Sequence, residues 1–181
     1  MTHLNSKSVG LCLLLAAAPL FGQTAAAPTF KDVFLFQLSD VEKKVVDLAE
    51  TTPQEKYSWR PAEGVRSVSE VFVHIAGANY FFPTMVGVKM PPKAFAPNSE
   101  KTVTDKAQVV ALLKQSFAHV RDSVSALSDA DMAKETKMFG KPATYQMVLF
   151  VMANHMHEHL GQSIAYARVN GIVPPWSKKA D

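Results

Sequence analysis

Apolar side chains return every three or four positions along four long stretches of this chain, and polar or Pro-rich segments separate them. In the first stretch Val33, Phe34, Gln37, Leu38, Val41, Val45 and Leu48 fall on one stripe, which predicts an amphipathic helix from about Phe30 to Glu50. Thr29 and Asp32 form a capping pair before it, and Thr51-Thr52-Pro53 stops it. Ser67-Val68-Ser69-Glu70 is a capping box that opens a second helix carrying Val71, Ile75, Ala78, Phe81 and Phe82, with an end near Val86 to Val88. A third restarts at Thr104-Asp105 and buries Val109, Leu112, Leu113, Ser116, Phe117, Val120 and Val124. Thr144 caps the fourth, whose stripe is Tyr145, Val148, Leu149, Met152, His155, His159 and Tyr166. Asn170-Gly171 ends it and Pro174-Pro175 forbids resumption. No stretch alternates with period two and there are no internal repeats. The expectation is an all-α four-helix bundle.

The connections differ in character. Tyr57 to Gly64 carries two aromatics between Pro and Gly, so it should pack against the domain. Lys89 to Thr104 is too rich in Pro for regular structure, and its length suits a lid or binding loop. Asp129 to Pro142 is polar and contains Gly140.

The N-terminus follows another logic. Met1 to Lys7 is polar with one lysine, Val9 to Phe21 is almost wholly apolar, and small residues follow to Ala27. A charged start, a short apolar run and small residues describe a secretory signal peptide, and the run falls short of the ~20 residues a spanning helix needs. Residues 1–27 are therefore read as a signal peptide cleaved between Thr24 and Ala27, and residues 28–181 as one exported bundle domain with no stable membrane association. The single cysteine, Cys12, leaves with the signal peptide, so the mature domain has neither disulfide nor thiol nucleophile. The formal net charge of the whole chain is only +3 and there is no basic run, which excludes a nucleic-acid partner.

Candidate chemistry sits in Asn154-His155-Met156-His157-Glu158-His159-Leu160-Gly161-Gln162. Residues four apart share a helix face, so His155 and His159 point the same way, while His157 is turned from His155 by roughly 200°. Two histidines on one face are half a metal site. The isolated His74, inside the apolar Val71-Phe72-Val73-His74-Ile75-Ala76, is the candidate third ligand. Three imidazoles leave coordination positions open, as in a catalytic or ligand-binding site, and suit Zn, Ni, Fe or Mn. His157 and His119 read as surface residues. Glu158 lacks the spacing of the His-Glu-x-x-His metalloprotease helix and should face outward. Glu70 lies one turn before His74, but the capping box is its better explanation. Gln162, Asn79 and Tyr80 are candidates for hydrogen bonds near the metal.

Tyr57-Ser58-Trp59-Arg60-Pro61, Arg66 to Ile75 with His74, and His155-x-x-x-His159-x-Gly161-Gln162 together resemble the DinB-like (DinB/YfiT) superfamily across the mature chain. The resemblance implies an up-up-down-down four-helix bundle, often homodimeric. It also implies a three-His site at His74, His155 and His159, usually with Zn or Ni. Family activities include thiol-dependent transfer and isomerisation. The expectation is a metal-dependent hydrolase or transferase acting on an unknown small molecule. The alternatives are a non-catalytic metal-binding or stress-related protein whose metal is structural, and a bundle without metal.

Overall fold

The computed structural model describes residues 27–177, so the segment 1–27 read as a signal peptide lies outside the described residues except for Ala27. Four long helices dominate: α1 (Phe30–Thr51), α2 (Val68–Phe81), α4 (Lys106–Ser125) and α5 (Tyr145–Val169). One turn of helix, α3 (Ser99–Thr102), precedes α4, and a hairpin of β1 (Glu135–Met138) and β2 (Lys141–Thr144) precedes α5. Among the described residues no helix is long and apolar enough to cross a membrane.

The ends form where the sequence chemistry places them. Thr29 and Asp32 close a capping box on α1, and Ser67 and Glu70 close another on α2. Asp105 caps α4 and Thr144 caps α5 through their side chains. These contacts occupy backbone N–H groups of the first turn that have no partner within the helix.

α1 packs on α4 and α5, and α2 packs on the same two helices. The successive pairs α1/α2 and α4/α5 thus stand across the diagonals of the bundle. Leu38, Val45, Phe72, Ile75, Leu113, Phe117, Leu149 and Met152 fill its centre at essentially zero exposure. Tyr57 is buried with them and its hydroxyl donates to the Ala49 carbonyl at 2.8 Å, so the loop after α1 packs as expected.

Several expectations need correction. Val33 and Phe81 belong to helical stripes but are 46% and 45% exposed, because the bundle covers only part of each apolar arc. α2 ends at Phe81 and continues as a 3₁₀ turn, Phe82–Val86, closed by Gly87. The Pro-rich segment contains α3, whose one turn needs no long periodicity. The polar segment before α5 folds into an antiparallel hairpin with Met138 opposite Lys141, although its strands are too short to show alternation.

Candidate metal centre

α2 and α5 are neighbours, and their histidines meet between them. His74, His155 and His159 each offer a ring nitrogen, and these nitrogens lie within 4.8 Å of one another. His74 Nε2 is 3.0 Å from His155 Nε2. The His159 ring stands edge-on to both, with centroids 4.7 Å from His74 and 4.4 Å from His155. The criterion for excluding joint ligation, a ring separation beyond about 6 Å at His–metal bonds of ~2.0–2.1 Å, is not met.

The outward-facing nitrogens are tied. Glu100 Oε1 lies 2.7 Å from His74 Nδ1. An ionised carboxylate only accepts, so the His74 proton sits on Nδ1 and the Nε2 lone pair faces inward. His159 Nδ1 donates to Gln162 Oε1 at 2.8 Å, Gln162 Nε2 donates to the Tyr166 hydroxyl, and Tyr166 donates to the Arg66 carbonyl. Arg66 in turn donates from Nε to Glu100 Oε2 at 2.9 Å. Both chains of hydrogen bonds therefore end on Arg66, one on its backbone and one on its side chain. His155 Nδ1 is buried without a partner.

The electrostatics favour neutral imidazoles at His74 and His155. Burial holds His74 below its ordinary value against the opposing pull of Glu100. Burial, with His159, His74 and Arg66 nearby, pushes His155 down to about 4. Burial would raise Glu100, but hydrogen bonds from Arg66 and His74 reverse that and keep it ionised. Ring nitrogens that converge on one point, with His74 held from outside by a carboxylate and His159 by an amide, are the donor chemistry a divalent ion requires.

The DinB superfamily pattern matches residues 37–163. The chain belongs to the DinB superfamily. Solved structures agree on the fold. A DinB-like protein from Bacillus cereus superposes with a TM-score of 0.70 at 20% identity, covering 78% of this chain and 93% of that one. The DinB-like YjoA from Bacillus subtilis gives 0.63 at 21%, covering 82% and 99%. YfiT from Bacillus subtilis, described as a probable metal-dependent hydrolase with an unusual four-helix bundle topology, gives 0.63 at 17%, covering 84% and 95%. No curated protein matches.

In this DinB bundle the other candidates separate cleanly. His157 and Glu158 are exposed, as their helical phase requires. Gln162 does reach His159, whereas Asn79 and Tyr80 lie elsewhere: Asn79 donates to Ser116 Oγ and Tyr80 stacks on His119 at 5.3 Å. His119 is half-buried with an unpartnered Nε2 rather than a surface residue, since Tyr80 covers it. Glu70 caps α2 and also accepts from Arg60 and Lys101, without touching His74. The sequence reading missed Glu100, Arg66 in this role, and the wall of a cavity of about 320 Å³ beside His74 and His155. Phe95 and Glu100 bring the Pro-rich segment to that cavity. Trp59 instead packs edge-on against Tyr166 at 5.2 Å.

Proposed function

We propose that this DinB protein is an exported metal-dependent enzyme, a hydrolase or transferase of a small molecule, whose ion is held by His74, His155 and His159. The observation that carries the reading is the convergence of three imidazoles beside an open cavity that reaches His74 and His155. A metal that only tied α2 to α5 would need no such cavity. Three histidines leave coordination positions free for a ligand. Zn or Ni heads the candidate ions, with Fe and Mn next, because imidazole suits each of them. YfiT, described as a probable metal-dependent hydrolase, shares the fold, which supports the same reaction class.

When bound, such an ion supplies Lewis-acid polarisation and lowers the pKa of water beside it. The chain's own part is to orient the rings. Glu100 holds the His74 proton on Nδ1, and Gln162 does the same for His159.

Elemental analysis of untagged protein, beside His74→Ala and His155→Ala, tests the reading. About one divalent ion per chain, lost in both variants, is expected for a site with three ligands. A wild type that takes up no Zn, Ni, Fe or Mn overturns it. The same preparation, recovered from outside the cytoplasm, should begin within residues 25–28, whereas an intact Met1 would sink the exported assignment.

A further inference from the structure

The cavity beside the histidines is almost entirely aromatic. Phe81, Phe82, Phe95 and Phe139 line it with Gly77 and Ala78, and its only polar lining is His74, His155 and Glu100. Those three are one hydrogen-bonded group, so the polar part is the candidate metal centre and the remainder is hydrocarbon. The volume of about 320 Å³ lies at the lower end for small-molecule sites, ~300–1,000 Å³. An apolar cavity of ~150 Å³ already holds a benzene ring. Phe82 touches both regions, its ring centroid 5.7 Å from that of His155.

Two features of the wall run against the ordinary demands of folding. Phe139 occupies the first position of the two-residue hairpin turn with φ 51°, and Gly140 follows with φ 79°. Both angles positive make a type I′ turn, whose first position favours Asn, Asp or Gly. A bulky residue there is strained, at a cost of roughly 1–2 kcal/mol. Its ring gains little burial in return, since Phe139 remains 65% exposed. It leans on Phe81 and Phe82 at centroid distances of 6.3 and 6.2 Å and extends the wall of the cavity. The second feature is Gly77, in the interior of α2. A Cβ built there would stand 2.7 Å from the tip of the Phe95 ring, so the missing side chain lets Phe95 approach the helix closely and line the cavity.

We propose that this aromatic cavity is the specificity pocket of the metal centre, and that it selects substrates with an aromatic or branched aliphatic group next to the coordinating atoms. The proposal rests on the metal-enzyme reading above. The substrate's polar group meets the ion at His74 and His155 while its apolar group lies between Phe95 on one side and Phe81 and Phe139 on the other.

The test uses two hydroxamates as metal-directed probes on protein loaded with Zn or Ni, its ion content measured in the same sample. Phenylacetohydroxamate should bind at least about tenfold more tightly than acetohydroxamate, as ~1.5–3 kcal/mol for burying a large apolar group allows. Phe139→Asn should erase most of that preference while leaving acetohydroxamate affinity, metal content and fold intact. Gly77→Ala, which displaces Phe95, should reduce it as well. Equal affinity of the two probes on fully loaded protein, or a preference that survives Phe139→Asn and Gly77→Ala together, overturns the pocket. If no ion binds, the metal reading fails by itself. The pocket is then judged on metal-free protein with benzyl alcohol, where NMR shifts confined to Phe81, Phe95 and Phe139 support it and their absence overturns it.

Discussion

Glu100 spends one carboxylate oxygen on Arg66 and the other on His74, so it is a positioning residue for the imidazole rather than a base. Outer partners of metal-bound histidines typically contribute ~10–100-fold in metal affinity. Glu100→Ala should therefore weaken metal binding by about that factor in a chelator competition, with a smaller loss of stability in the metal-free protein. Equal loss of metal-free stability and metal affinity would mean that Glu100 only braces the Pro-rich segment. At this scale the sequence is legible where the relation is local. His155 and His159 are one turn apart, Gln162 is three residues beyond His159, and helical geometry joins all three without knowledge of the fold. His74 needed only a partner helix. Glu100 lies 26 residues beyond His74, across Pro91, Pro92 and Pro97, in a segment without periodicity, and nothing in its neighbourhood marks it. Phe139 is equally silent, because its meaning lies in a backbone angle that only the folded hairpin reveals.

The elements show the same division. The capping boxes of α1 and α2 were readable because their residues are three apart and their chemistry is reciprocal. β1 and β2 were not, since four residues each, one of them Pro142, carry no usable alternation. The start of α2 also holds more than its cap. Burial would raise the Glu70 carboxyl, but hydrogen bonds from Lys101, the Ser67 backbone and Arg60 hold it down at about 2. These tie α2 to the loop before it and to α3. A carboxyl lowered on folding stabilises the protein above its ordinary value near 4.5, and that stabilisation fades as pH falls toward 2. Full linkage would reach ~3 kcal/mol, and solvent around the exposed end of Lys101 reduces this to ~1–2 kcal/mol. Urea unfolding at pH 7 and pH 3 checks it. The wild type should lose more than half of that increment between the two conditions, and Glu70→Gln, already weaker at pH 7, should lose less. Parallel losses in both proteins would show that Glu70 contributes nothing through its charge.

In the whole molecule, the diagonal placement of successive helices lets α2 and α5 share a face although they lie far apart in sequence, and this produces the histidine cluster. Four amphipathic stripes predict a bundle, but they do not reveal which faces are left over. One such face runs along α1 and α5. Phe150 is 57% exposed and stands between two grooves: one lined by Phe30, Val33, Phe34, Gln37 and Ala153, the other by Phe30, Met132, Met147 and Val151. A projecting ring beside an apolar groove is self-complementary under a twofold axis, where each copy's ring enters the other's groove. We propose that a homodimer forms there through α1 and α5, on a face whose lining includes none of His74, His155 and His159. Sedimentation equilibrium should give twice the chain mass at micromolar concentration, and Phe150→Glu should give a monomer that keeps its helicity and its metal. The dimer would bury roughly 1,200 Å² or more to be stable at that concentration. A wild type that sediments as a monomer at about 100 μM, some tenfold or more above the concentrations at which standard-size interfaces are filled, leaves this face without a second copy.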